Sequence, residues 1–197
     1  MAHHIYNTEA LVLSNSPVGE SNRFLSVFSK DLGLIHAVGK NLRGENSKLR
    51  YHLQNYTFTQ ISFVRGREVW RIVGAHASHN IFLALHRNRE KQLVAVRMCA
   101  LLARLLQGEE SDVVLFEIVH RGMEFLEQER LDTELLRDFE YMFVIRILAQ
   151  LGYVGDQGEF APIFDPLFFS TELLGFIGAR RASALSLINH ALDASGL

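Results

Sequence analysis

Residues 33–50, with the sequence GLIHAVGKNLRGENSKLR, join an apolar run to a basic loop. The apolar run has the composition of a β-strand and ends at Gly39, where polar residues begin and a turn is expected. Four positively charged residues then follow, with only Glu45 to oppose them: Lys40, Arg43, Lys48 and Arg50. Because a cluster of this sign attracts phosphate, we expect a strand that delivers a nucleic-acid-binding loop.

Charge is distributed unequally along the 197 residues. Residues 1–80 contain nine Lys and Arg against five Asp and Glu, whereas residues 81–197 contain 11 against 17. Such an asymmetry is typical of a basic part that meets a polyanion, although a solvated surface can carry the same excess. The hydrophobic fraction of 48% and the charged fraction of 21% are those of a globular protein and argue against disorder.

The chain contains a single cysteine, Cys99, which lies among apolar residues. One cysteine excludes a disulfide within the chain and a cysteine-based zinc site, and it favours a reducing compartment. The first residues, MAHH, lack the basic and apolar segments of a secretory signal, and no uncharged apolar run is long enough to span a bilayer. We therefore expect a cytoplasmic protein that does not bind a membrane.

Five β-like runs fall within the first eighty residues. They cover residues 5–13, 23–29, 33–39, 56–64 and 69–77, with turns expected at residues 14–17 and 30–33. Five short strands with one long interruption, between the third and the fourth, predict an OB-type barrel over residues 1–80. A five-stranded SH3-like barrel has a similar periodicity and stays open as an alternative.

The pattern changes to a helical period after residue 80. Apolar residues at helical spacing predict helices over residues 89–106, 112–128, 132–151 and 179–192, the last preceded by a short turn within 166–174. Residues 153–166, with two glycines and two prolines, are expected to form an irregular connection. The predicted fold class is therefore α+β in two parts, an OB-fold domain (1–80) followed by an all-α domain (81–197).

The sequence contains no recognisable catalytic constellation. It lacks a G-x-S-x-G nucleophile motif, a P-loop and a G-x-G-x-x-G turn after a strand. His76 and His79 are three residues apart but have no evident third metal ligand, and the surroundings of Cys99 favour a buried, inert thiol. We therefore expect a protein that is not an enzyme and that has no metal and no cofactor.

A nucleic-acid site is favoured because several signals fall on one part of the barrel. OB folds bind ligands on their second and third strands and on the loops between strands one and two and between four and five. Besides the basic loop, the four-to-five turn carries Arg65 and Arg67, and Tyr51 is the best candidate for a ring on which a base could stack. The alternative for the basic loop is a flexible, solvated connection without a ligand.

Four stretches of the sequence form a recognisable pattern: TEALVL (residues 8–13), GES (19–21), LSVFSKDLGLIHAVGK (25–40) and FEYMFVIRILAQLGYVG (139–155). Together they resemble the RecO family of bacterial recombination mediators. The resemblance implies an OB-fold protein of DNA repair that binds single- and double-stranded DNA and anneals complementary strands. It further implies association with RecR and help for RecA in replacing the single-strand-binding protein SSB on DNA, in the cytoplasm and at the nucleoid.

The resemblance also assigns residues. The family's basic residues after the third strand match Lys40 and Arg43, and less closely Arg50. In the family the acidic tail of SSB docks on the helical domain, where the possible cations in this chain are Arg87, Arg97, Arg104 and Arg121.

Two departures from the family pattern stand out. No cysteine lies at residues 153–166, where many members carry a zinc module, and Asn41 replaces a usual glycine. Asparagine tolerates a left-handed backbone, so the turn can persist. The alternatives to a DNA-annealing mediator are an OB-fold module for protein interaction or for RNA, with a hydrolase further behind.

Overall fold

The computed structural model describes residues 4–44, 47–155, 158–165 and 167–196. Their contacts form two compact units. One unit contains the chain up to Arg87 together with Ala95–Val113, and the other contains Asn88–Val94 and the chain from Val114 onward. The division at residue 80 stays a prediction about independently folding domains.

Five strands form a closed barrel in the order β1-β2-β3-β5-β4. They are β1 (Ile5–Val18), β2 (Asn22–Ser29), β3 (Gly33–Gly39), β4 (Thr57–Arg65) and β5 (Trp70–Asn80). All neighbours are antiparallel except β3 and β5, which run parallel. The predicted five-stranded OB-type barrel is confirmed.

The barrel interior is filled by side chains from alternating strand positions. Because successive strand residues point to opposite sides, each strand contributes every second residue to the core. The buried cluster comprises Ala10, Val12, Leu25, Val27, Ile35, Ala37, Leu42, Leu53, Ile61, Phe63, Trp70 and Ile72. A second set of apolar side chains is buried on the outer surface of the strands: Leu11, Leu13, Phe28, Leu34 and Phe58.

The first strand is longer than the sequence predicts. Residues 14–17 were expected to turn, but they continue β1 and pair with β2 as far as Val18 opposite Asn22. A register shift between Val12 and Ser14 marks a bulge, which allows the polar end of the strand to bend while it stays paired. The turn is instead made around Gly19, whose φ of 61° is accessible to glycine.

The connection between β3 and β4 is packed into the barrel rather than solvated. Leu42 and Leu53 from this connection are fully buried in the core cluster. Between them lies the short helix α1 (Leu49–His52), whose His52 Nδ1 accepts a hydrogen bond of 3.1 Å from the Ala77 N–H of β5. The basic loop is therefore attached at several points to the barrel, and Glu45 lies outside the described residues.

Two helices follow the barrel. The side chain of Asn80, the last residue of β5, accepts a hydrogen bond from the Leu83 N–H and so caps α2 (Ile81–Ala84). Helix α3 (Arg89–Leu105) matches its predicted range within one residue at the C-terminal end. After α3 the chain returns to the barrel, where the Leu34 N–H donates to the Gly108 carbonyl at 3.0 Å.

The remaining helices are α4 (Val113–Gln128), α5 (Thr133–Gln150), α6 (Thr171–Gly178) and α7 (Arg181–Ser195). The first two match their predictions closely. The prediction of a short turn before the last helix was wrong, because Ser170 caps a helix of eight residues there. The expected irregular connection contains a 3₁₀ helix, Gly158–Ile163, and residues 156, 157 and 166 lie outside the described part. None of the helices described is both long and apolar enough to cross a membrane.

A buried arginine organises this connection. Arg146 on α5 is 2% exposed, its Nε donates to the Ile163 carbonyl at 2.7 Å, and its Nη2 donates to the Phe168 carbonyl at 2.7 Å. The guanidinium also lies over the ring of Phe169, 4.3 Å from its centroid. Burial lowers the pKa of Arg146 to about 10, so the side chain stays charged near neutral pH.

The close packing at Gly33, the first residue of β3, can be tested by comparison with a second glycine of similar backbone conformation. Gly33 and Gly108 both have left-handed backbones, with φ of 70° and 73°, but a Cβ on Gly33 would collide with the backbone of Glu110, whereas one on Gly108 would meet open space. We expect Gly108→Ala to cost about 1 kcal/mol, the cost of the left-handed backbone. Gly33→Ala should cost roughly 3 kcal/mol, because a steric clash adds to that strain.

Urea unfolding, monitored by the fluorescence of Trp70, the one tryptophan of the chain, measures the loss of unfolding free energy in each of the two variants. Equal losses in the two variants would contradict the close packing at Gly33.

The thiol of Cys99 offers a second test of packing. It is 2% exposed, and burial raises its pKa from an ordinary value of 9.0 to about 12. A raised pKa in the folded state stabilises the protein below the unfolded-state pKa, and this contribution is lost as the pH rises toward 12. We expect no reaction with a thiol reagent at pH 8 in the folded chain and rapid reaction in guanidinium chloride. Comparable rates in both conditions would place the thiol at the surface.

Candidate nucleic-acid interface

A cleft of about 540 Å³ lies at the end of the barrel where the basic loop crosses it. Three arginines converge on this cleft, together with one aromatic ring and several amide side chains. The lining residues are Asn15, Arg23, Leu42, Arg43, Arg50, Tyr51, Gln54 and Asn55. The structure thus brings together three of the predicted site residues, Arg43, Arg50 and Tyr51.

The position of Arg43 is determined by the turn between β1 and β2. Its backbone N–H donates to the Ser21 carbonyl at 3.0 Å, and its Nη1 donates to the Gly19 carbonyl at 3.1 Å. Asn41 precedes it with φ of 53°, so the left-handed turn expected at this asparagine is confirmed. The Asn41 N–H donates to the side chain of Asn22, which further attaches the loop to the start of β2.

Arg50 and Tyr51 form a pair on α1. The guanidinium carbon of Arg50 lies 4.7 Å from the ring centroid of Tyr51, and its Nη2 donates to the Tyr51 hydroxyl at 2.6 Å. The tyrosine is 58% exposed, which is high for a large aromatic residue. This arrangement places a positive charge beside a ring that a nucleobase could approach.

Arg23 is a member of the cleft that sequence reasoning missed. Its Nη1 donates to Asn15 Oδ1 at 3.2 Å, and Asn15 in turn donates to the Leu53 carbonyl at 2.6 Å. The alternation of β2 indicates that Arg23 lies on the inward face, because it shares that face with the core residues Leu25 and Val27. A charged residue on the inward face must lie at an open end of the barrel to stay solvated.

A second feature lies on the outer face of β2 and β3, where OB folds bind ligands. The rings of Phe24 and His36 are stacked, with centroids 5.7 Å apart and planes 12° from parallel. His36 is exposed, Phe24 is 37% exposed, and Ser26 Oγ lies 3.1 Å from His36 Nδ1. These two rings form a second platform of suitable size for a base.

Arg65 is the last residue of β4, and Arg67 lies in the turn between β4 and β5. This turn borders a groove of about 810 Å³ that also includes Glu68, Arg71 and Val73. Arg65 is not simply exposed to solvent, because its Nη2 lies 3.5 Å from Glu109 Oε2. Neither Arg65 nor Arg67 lines the cleft that contains Arg43.

The other predicted residues lie at the surface and are not among the residues that line the cleft. Lys40 follows β3, and Lys48 precedes α1; both are exposed and neither lines the cleft. The four candidate partner-binding residues are also exposed. Arg87 follows α2, Arg97 and Arg104 lie on α3, and Arg121 lies on α4, where its Nε is 4.0 Å from Glu117 Oε2.

The arrangement at the cleft suits an extended polyanion. Guanidinium groups bind phosphate through paired N–H donors, and exposed rings bind bases without regard to sequence. The described residues contain no group of three His, Cys, Asp or Glu side chains placed to hold a metal ion.

Comparison with known proteins identifies similar sequences. A family model described as "Recombination protein O N terminal" matches residues 1–80. The "DNA repair protein RecO" of Dehalococcoides mccartyi is 28% identical over 158 residues, which are 80% of this chain and 60% of that protein. The protein of the same name from Heliobacterium modesticaldum is 28% identical over 196 residues, which are 93% of this chain and 69% of that protein. The chain thus spans 60% to 69% of the length of these two relatives.

Tyr51 gives a direct test of stacking at the cleft. We expect Tyr51→Ala to weaken binding of a single-stranded oligonucleotide by about tenfold, since stacking of one base contributes roughly 1–3 kcal/mol. The salt dependence should stay the same, because no charge is removed. Fluorescence anisotropy with a labelled oligothymidine measures both quantities.

The matched control is Tyr51→Phe, which keeps the ring and loses only the hydroxyl bonded to Arg50. If this variant weakens binding as much as Tyr51→Ala does, the hydroxyl and not the ring is responsible.

Proposed function

We propose that the chain is a member of the RecO family, to which its residues 1–80 are similar, and that it is a DNA repair and recombination protein whose barrel binds single- and double-stranded DNA. The observation that carries the proposal is the convergence of Arg23, Arg43 and Arg50 on one cleft beside the exposed ring of Tyr51. Charge and an exposed aromatic ring together are the two requirements of a single-strand site without sequence preference.

We further propose that the protein anneals complementary strands. Two DNA strands repel each other through their phosphates, and binding by arginines lowers that repulsion. A site that holds the backbone and stacks only one or two bases leaves most base edges accessible for pairing. The cleft has this character, because its arginines outnumber its single aromatic ring.

The proposal includes partners by analogy with the family. With RecR, the protein would help load RecA on DNA that is coated with SSB, in the cytoplasm and at the nucleoid. The acidic tail of SSB requires a cation beside apolar surface, and Arg87, Arg97, Arg104 and Arg121 are exposed cations on the helices or next to them. In this role the protein acts by binding and needs neither a catalytic residue nor a cofactor.

The salt dependence of DNA binding tests the site. We expect Arg43→Gln with Arg50→Gln to weaken binding of a single-stranded oligonucleotide by roughly tenfold or more at low salt. The slope of log affinity against log salt should become shallower by about 1.4, since each phosphate contact on a single strand contributes about 0.7. Anisotropy titrations over a series of salt concentrations provide the slope.

The control variant, Arg130→Gln with Arg137→Gln, removes two exposed charges from the other contact unit. It should leave the slope unchanged. In a parallel strand-annealing assay with complementary oligonucleotides, the variants should rank in annealing activity as they rank in DNA affinity. Equal slopes in the two double variants would refute the cleft as the binding site. A parent protein that binds RNA but not DNA, or no nucleic acid at all, would favour the RNA-binding or protein-interaction alternative.

A further inference from the structure

The side chain of Glu109 connects two residues of the barrel near the β4–β5 turn. Its Oε1 accepts a hydrogen bond of 2.8 Å from the indole N–H of Trp70, and its Oε2 lies 3.5 Å from Arg65 Nη2. The guanidinium carbon of Arg65 also lies 5.3 Å from the ring centroid of Trp70. Arg65, one of the predicted phosphate ligands, therefore already faces an anionic group that belongs to the chain itself.

The backbone around Glu109 is attached firmly to the barrel. The Gly108 carbonyl accepts from the Leu34 N–H, and Ser111 Oγ donates to the Lys30 carbonyl, both at 3.0 Å. The Glu110 backbone packs closely against Gly33. By contrast, the side chains of Arg65 and Glu109 are 66% and 43% exposed. Rotation of these two side chains can change their partners while the backbone stays in place.

On the basis of the proposed function, we propose that Glu109 competes intramolecularly with DNA phosphate for Arg65. An exposed ion pair of this kind is weak, so a phosphate group that is already held nearby can replace the carboxylate. Arg67 and Arg71 border the same groove and provide the attraction that brings a phosphate there. The β4–β5 turn then contributes its full charge only after a strand has been captured elsewhere on the barrel, and Glu109 lowers the affinity for short strands.

Glu109→Gln separates the two contacts of the carboxylate. The amide oxygen of glutamine can still accept from the Trp70 indole, so the packing at the end of the barrel is kept. The amide nitrogen then faces Arg65, and two donors do not bind each other. Arg65 is thereby released without a change of its own side chain. Glu110→Gln is the matched control, because it removes the same charge from the adjacent residue.

The test is binding of a labelled oligothymidine to the full chain over a series of salt concentrations. We expect Glu109→Gln to bind a short oligothymidine about two- to fivefold more tightly at low salt, because Arg65 then contacts a phosphate, whereas in the parent it stays paired with Glu109. The slope of log affinity against log salt should become steeper by about 0.7, one additional phosphate contact. Glu110→Gln should show a smaller gain, from net charge alone, and an unchanged slope. Adding Arg65→Gln to Glu109→Gln should abolish the gain and restore the parent slope.

Three outcomes would overturn the proposal. The first is equal behaviour of Glu109→Gln and Glu110→Gln, and the second is a gain that persists when Arg65 is replaced. In both cases the parent still binds DNA, so the proposed function stands. The third is failure of both the parent and Glu109→Gln to bind any oligonucleotide, which refutes the proposed function as well. A thermal unfolding curve of each variant confirms that the barrel is folded.

Discussion

The barrel closes through a short parallel pairing between β3 and β5, namely Ala37 with Trp70, Val38 with Arg71 and Gly39 with Ile72. The same end of β3 pairs with the start of β2, where Gly39 is opposite Arg23. Glycine at position 39 permits the packing of Leu42 beside these pairings, because a Cβ there would collide with the buried side chain of Leu42. The close contact between Gly39 and Leu42 therefore allows the β3–β4 connection to fill the end of the barrel. It also determines where the basic loop begins.

Much of the architecture could be predicted because it depends on local patterns. The period of two in the first eighty residues and the helical period afterwards each follow from which residues are buried. The extent of β1 could not be predicted in this way, because Ser14 to Pro17 have the composition of a turn and pair only through the bulge and the partner strand. Residues 171–178 form a helix despite two glycines, since Ser170 caps it and Leu174 and Ile177 are buried.

The candidate site could be predicted only in part. Loop charges such as Arg43 and Arg50 are visible in the sequence, but their convergence with Arg23 depends on barrel closure. The role of Glu109 is also non-local, because 39 residues separate it from Trp70. A sequence in which Glu109 is followed by Glu110 gives no reason to distinguish the two, and only the fold shows that the first reaches Arg65.

Arg146 has a consequence for how the helical unit responds to its chemical surroundings. Its guanidinium joins α5 to the carbonyls of Ile163 and Phe168. A guanidinium is not oxidised as thiolates are, and no chelator removes it. The attachment of Ile163 and Phe168 to α5 is thus independent of oxidants and of metal supply.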